Sequence, residues 1–176
     1  MNNRNYVISS IVILSIAVIL LALLLVTSFD ENLALPLVCI FIFSAPILIA
    51  VSSIPPVVNY IQNNKRETSW NTKSDNQGTA AVLKSILAFT IIMTFGFPCS
   101  IPLCNKLDCP ELITYILILM TIACLLQMLT NLYMYIKTRF SSFAIAFITN
   151  VLAVIIFFVS VIIFIIWGLY ALYKAH

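Results

Sequence analysis

Long apolar runs and short polar interruptions alternate along the chain. Five runs are long enough to cross a bilayer: Tyr6–Phe29, Leu33–Tyr60, Ala80–Leu103, Leu112–Ile136 and Ser141–Tyr173. About 20 apolar residues in a helix span a hydrocarbon core of about 30 Å, so each run is predicted to be a transmembrane helix. The fold class is all-α, a polytopic transmembrane helix bundle, and residues 1–176 make a single membrane domain. Lys84, near the start of the third run and assigned with the loop before it, is the one ionisable residue within these bounds; the rest of the five runs carry no Asp, Glu, Lys, Arg or His. A charge at the middle of such a helix costs on the order of 3 kcal/mol, and ionisable residues kept there mark transport or proton paths. Their absence points to packing, sorting or recruiting. The first run exceeds the roughly 7–15 residues of a signal-peptide core and lacks a small-x-small site after it, so it is expected to stay as a signal anchor.

Proline shapes the second and third runs. Pro36 suits a first helical turn, where its missing N–H would be unpaired in any case. Pro46 is expected to kink the second helix, because it removes a backbone hydrogen bond and clashes with the preceding turn. Pro55 and Pro56 are expected to end that helix, and Gly96 with Pro98 and Pro102 to break the third. The segment Gln62–Gly78 (QNNKRETSWNTKSDNQG) is predicted to be a cytosolic connecting loop, with Ser74 or Asp75 capping the next helix. The fifth run admits two readings: an interfacial segment Phe140–Asn150 followed by a span near Val151–Tyr170, or one long tilted helix. Trp167, Tyr170 and Tyr173 form the aromatic cluster expected at a membrane interface.

Composition agrees with the pattern. The chain is 62% hydrophobic and 9% charged with a mean hydropathy of +1.12, against roughly 25% charged residues in soluble domains. Its net charge of +3 is too slight and scattered for a nucleic-acid surface. Basic residues fall unevenly between the loops. Placing the N-terminal tail, the second loop and the fourth loop in the cytosol puts Arg4, Lys65, Arg66, Lys73, Lys84, Lys137 and Arg139 on one side and leaves only Lys106 and Lys174 on the other. This positive-inside bias predicts a cytosolic N-terminus.

Catalytic parts are scarce. His176 is the sole histidine, and no GxSxG, HExxH or phosphate-binding glycine loop occurs. No enzyme activity and no cofactor are expected. Cys99, Cys104 and Cys109 follow a C-x4-C-x4-C spacing on the non-cytosolic side, where a Cys104–Cys109 disulfide across the NKLD turn and three free thiols are both compatible with the sequence. Cys39 and Cys124 lie in apolar helices as small hydrophobes. Gln127, Thr130 and Asn131 fall at i, i+3 and i+4, which gathers them on one helix face for interhelical hydrogen bonding or for lining a polar cavity.

From Ser28 to Arg139 the chain resembles the leptin receptor overlapping transcript family, small membrane proteins that include a fungal vacuolar protein sorting member. The residues that carry the likeness are LPLVCIFIFSAPI (Leu35–Ile47), Phe95-Gly96-Phe97-Pro98, and a polar loop ending in Asp-Asn-Gln-Gly. The chain departs from the family pattern at Leu48, where a second proline is usual, and at Ala81, where an acidic residue is. The family also has four spans, so Ser141–Tyr173 is a fifth, outside the resemblance. The resemblance implies a non-catalytic role in endosome-to-vacuole or lysosome protein sorting in an endosomal or Golgi membrane. Expected partners are other integral membrane proteins, receptor cargo among them, and the helix-packing candidates are Ala45, Pro46, Gly96 and Pro98. A rival function is a small channel or carrier for a neutral or hydrophobic solute, with a path past Gln127, Asn131 and Pro46.

Overall fold

In the computed structural model of the chain, which describes residues 3–27, 31–64, 70–107 and 110–175, the elements are α1 (Asn3–Thr27), α2 (Glu31–Asn64), α3 (Trp70–Leu107), α4 (Pro110–Thr138) and α5 (Ser141–Ala175). All five helices are long and apolar enough to cross a bilayer. Among the described residues there is no strand.

The most proline-rich helix is also the central one. Helix α2 packs against each of the other four, most extensively against α5, and 61% of its most apolar stretch is buried, against 17–22% for the rest. Helix α1 lies against α2 and α5, and α3 against α2 and α4. Two clusters hold the bundle. At one level Ala17, Leu24, Phe41, Ala45, Ile49, Ala153 and Ile156 join α1, α2 and α5. At the other, Val57, Tyr60, Leu83, Met134 and Phe143 bring α2, α3, α4 and α5 together. Alanines at the first contact let backbones approach closely, since the chain has only three glycines.

The outer surface is the reverse of a water-soluble protein's. Ile11, Val12, Ile19, Val26, Ile92, Phe95, Leu129, Phe158 and Ile165 all face outward, while Ser52, Ser53, Thr90, Gln127, Asn131 and Asn150 are buried. Exposed large apolar side chains occur on all five helices.

Several boundaries differ from those expected. Helix α2 is not ended by Pro55 and Pro56; it runs unbroken through Pro46 and both of them to Asn64, and all three prolines are buried. An apolar environment offers no water for freed backbone groups, so leaving the helix would cost more bonds than each proline removes. Helix α3 likewise continues past Gly96, Pro98 and Pro102 to Leu107, and it starts at Trp70. The expected loop at 62–78 is therefore helical over 62–64 and 70–78, with residues 65–69 outside the described set. Extending a helix that is already nucleated costs little. Lys84, counted with the loop, instead lies inside the candidate span Gln77–Pro98 and is exposed.

The fifth run is one helix of 35 residues. Its first turns pack into the bundle, where Phe143, Ala146, Thr149 and Asn150 are fully buried. Near its far end, Trp167 and Tyr170 pack edge to face with ring centroids 5.6 Å apart. The turn into this helix is abrupt. Arg139 takes a left-handed φ of 57°, its N–H donates to the Tyr135 carbonyl at 2.8 Å, and the Phe143 N–H donates to the Phe140 carbonyl at 3.1 Å. A side chain in that conformation costs about 1 kcal/mol, which is why glycine is preferred there. Arg139→Gly is expected to raise unfolding stability in detergent by up to about 1 kcal/mol; a decrease would show that the arginine side chain contributes more than its backbone costs.

Candidate functional site

The central polar feature is built from four helices. Ser52 and Ser53 of α2 sit in a helix whose prolines follow within four residues, and each serine reaches a different neighbour. The Ser52 hydroxyl donates to Asn150 Oδ1 of α5 at 2.7 Å. Asn131 Nδ2 of α4 donates to Ser53 Oγ at 2.8 Å. The Ser53 proton is committed to the Ile49 carbonyl at 2.9 Å, which fixes that serine as the acceptor from Asn131. On the α3 side, the Thr90 hydroxyl bonds the Ile86 carbonyl at 2.9 Å and lies 3.4 Å from the Ala123 carbonyl and 3.5 Å from Gln127 Oε1.

These bonds orient the helices more than they stabilise them. In a bilayer an interhelical hydrogen bond contributes about 0.6 kcal/mol on average, so the two strong ones add on the order of 1 kcal/mol. Their value is register, because a one-residue slip of α2 would remove both serines from their amides. Among the described residues, Gln127 Nε2, Asn131 Oδ1 and Asn150 Nδ2 are buried with no hydrogen-bond partner.

Beside this seam lies an apolar cleft of about 240 Å³ between α2, α4 and α5. Ala45, Pro46 and Ile49 line it from α2, Met120, Cys124 and Met128 from α4, and Ala153 and Phe157 from α5. Thr121, on its rim, returns its hydroxyl to the Leu117 carbonyl at 2.9 Å. A second groove, between α3 and α4, is lined by residues such as Leu83, Ile86, Leu129 and Tyr133.

The sequence-predicted residues divide three ways. Gln127 and Asn131 are fully buried in the seam, whereas Thr130 turns to the α3–α4 groove and bonds back to the Leu126 carbonyl at 2.7 Å. Ala45 and Pro46 are buried at the cleft. Gly96 and Pro98 face outward, and among the described residues a Cβ added at Gly96 would meet nothing within 4 Å. The side chains of the Cys104–Cys109 pair lie outside the described residues. Sequence reasoning missed Ser52 and Ser53 as binding groups and treated Asn150 only as a divider. The available signal was that Asn150 is the one amide after Asn131, a polar side chain expensive to bury unless paired.

No family model, curated protein or solved structure matches the chain.

Proposed function

We propose that the chain is a multi-pass integral membrane protein with its N-terminus in the cytosol, and that it works without catalysis by assembling laterally with other membrane proteins. The observation that carries this reading is the inverted surface: polar side chains pair with one another inside the bundle, while α1 and α3 present unpartnered apolar faces. Exposed Lys84 fits the same placement, since its long stem can carry the ammonium from within α3 to the cytosolic interface. Cargo sorting in an endosomal or Golgi membrane is the role implied by the resemblance, with Phe95, Gly96 and Pro98, exposed on α3, as the contact to test.

Gly96→Leu separates assembly from internal packing. Because the position is open, unfolding stability in detergent is expected to stay within about 0.5 kcal/mol of the parent. Recovery of a membrane partner by affinity capture in mild detergent, and delivery of endosomal cargo, should both fall. Unchanged capture and delivery would defeat the α3 contact.

The α2–α4–α5 cleft favours a second reading, a carrier for a neutral or hydrophobic solute. Purified protein in liposomes that moves a solute, with flux abolished by Gln127→Leu plus Asn131→Leu while sorting survives, would select the carrier.

A further inference from the structure

The groove between α3 and α4 runs towards one end of the bundle, and a lysine continues one of its walls there. Thr79, Val82, Leu83 and Ile86 of α3 fall at i, i+3, i+4 and i+7, and so do Leu126, Leu129, Thr130 and Tyr133 of α4, so each wall is one helix face. The two helices are antiparallel: Leu83 shares a core cluster with Met134, whereas Thr90 lies beside Ala123 and Gln127. That cluster also holds Phe143, in the first turn of α5, which places this end of the groove at the α4–α5 turn. Lys137 stands four residues past Tyr133, about 5 Å further along the same face and in the last turn of α4. Its side chain is exposed, as is that of Arg139 two residues on.

The groove is apolar along its length and charged only beyond its end. Val82, Leu129 and Tyr133 each leave more than half of their surface exposed on its walls. Thr130 spends its hydroxyl on the Leu126 carbonyl at 2.7 Å, and no Lys, Arg, Asp or Glu is among the lining residues. The one acidic side chain described, Glu111, occupies the first turn of α4, at the opposite end of that helix from Lys137. In the sequence, the loop assignment puts seven of the nine Lys and Arg residues on the Lys137 side, against Glu67 and Asp75. We propose that the α3–α4 groove holds one acyl chain of an anionic phospholipid, with the lipid phosphate on the Lys137 ammonium.

Charge complementarity selects this occupant. A phospholipid joins a hydrocarbon tail to a phosphate at the membrane surface, in the same order as α4 joins the groove face to Lys137. The four-carbon stem of the lysine can lie along the apolar rim while its ammonium stays at the headgroup level. Tyr133 stands between the two, an aromatic body with a polar tip that suits the membrane–water boundary. A zwitterionic headgroup brings its own cation to the same place, so a net negative lipid is preferred, by about fivefold per basic residue near the surface. The groove volume of about 240 Å³ exceeds the roughly 150 Å³ of apolar cavities that take benzene, which leaves room for a chain segment but not for a whole lipid. This inference rests on the membrane-spanning reading and not on the sorting role.

The test uses the full chain in phosphatidylcholine vesicles, isolated by flotation, with two photoactivatable probes, phosphatidylglycerol and phosphatidylcholine, that carry the same reactive group on the same acyl chain. Phosphatidylglycerol should label segments 82–86 and 126–133 about fivefold more than phosphatidylcholine at low salt, and the ratio should shrink at high salt. Lys137→Gln should bring that ratio to within twofold of one, and Lys137→Arg should keep it. Lys84→Gln removes an equal charge from an exposed position on α3 that is off the groove face, and should leave the ratio unchanged. Val82→Trp and Leu129→Trp, exposed on opposite walls, should each cut groove labelling by both probes at least fivefold while the bundle stays folded. Soluble glycerol phosphate should not compete. Equal labelling by the two probes, a ratio lost equally in Lys84→Gln, competition by glycerol phosphate, or cross-linking of two copies through these segments in place of lipid label would overturn the proposal. Floated protein without label in the groove overturns the lipid site alone. Protein that fails to float overturns the membrane reading and the lipid site with it.

Discussion

Phe143→Ala is expected to lower the unfolding free energy by about 3 kcal/mol. Phe143 is fully buried in the first turn of α5, within the cluster it forms with Val57, Tyr60, Leu83 and Met134 from three other helices. In water, truncating such a residue costs about 3–5 kcal/mol, part from lost transfer and part from the cavity left behind. Lipid tails are as apolar as the core, so the transfer part largely vanishes between lipid and bundle. Lost dispersion contacts and the cavity remain, which puts the expected value at the lower end. Reversible unfolding in mixed micelles measures it, with Ile148→Ala, half exposed on the same helix, as a control expected to stay within about 0.5 kcal/mol. A loss below about 1 kcal/mol for Phe143→Ala would mean that the first turns of α5 leave the bundle and lie at the interface.

Asn131→Asp changes almost no volume and should cost a comparable amount at neutral pH, about 3 kcal/mol, because it places a carboxylate at a fully buried position of an apolar helix, where the hydrogen bond of Asn131 is to the neutral Ser53. Asn131→Leu should cost only about 1 kcal/mol. A deficit as small in Asn131→Asp would indicate that the site admits water or a counter-ion.

The helices were legible in the sequence because apolar length is a strong signal when the surrounding solvent is apolar. The five runs correspond to the five helices, and Gln127 and Asn131 stood out as polar side chains on one face. What failed were rules learned from water. Pro55, Pro56 and Pro98 end helices where solvent can satisfy the freed carbonyls; here α2 and α3 continue through them. The polar stretch 70–78 looked like a loop by composition, yet its residues extend α3. Thr130 shared a nominal face with Gln127 but turned outward, because its hydroxyl could return to the Leu126 carbonyl without an interhelical partner. Serines 52 and 53 were invisible as a site because a serine can always bond its own helix, and only the position of α4 and α5 reveals the second use of each hydroxyl.

The bond between Ser52 and Asn150 joins residues 98 positions apart. At a synthesis rate of about 5–20 residues per second, roughly 5–20 s separate their emergence from the ribosome. Throughout that interval the central helix has been made, but the last helix, its largest packing partner, has not. Helix α2, with its prolines and serines, must spend that time against α1 and, as they are made, α3 and α4, or in the care of the insertion machinery. The nascent chain is thus most exposed to quality control before residue 150 is made, and a slow codon or stalled ribosome between residues 64 and 150 should reduce yield far more than one placed after α5 has entered.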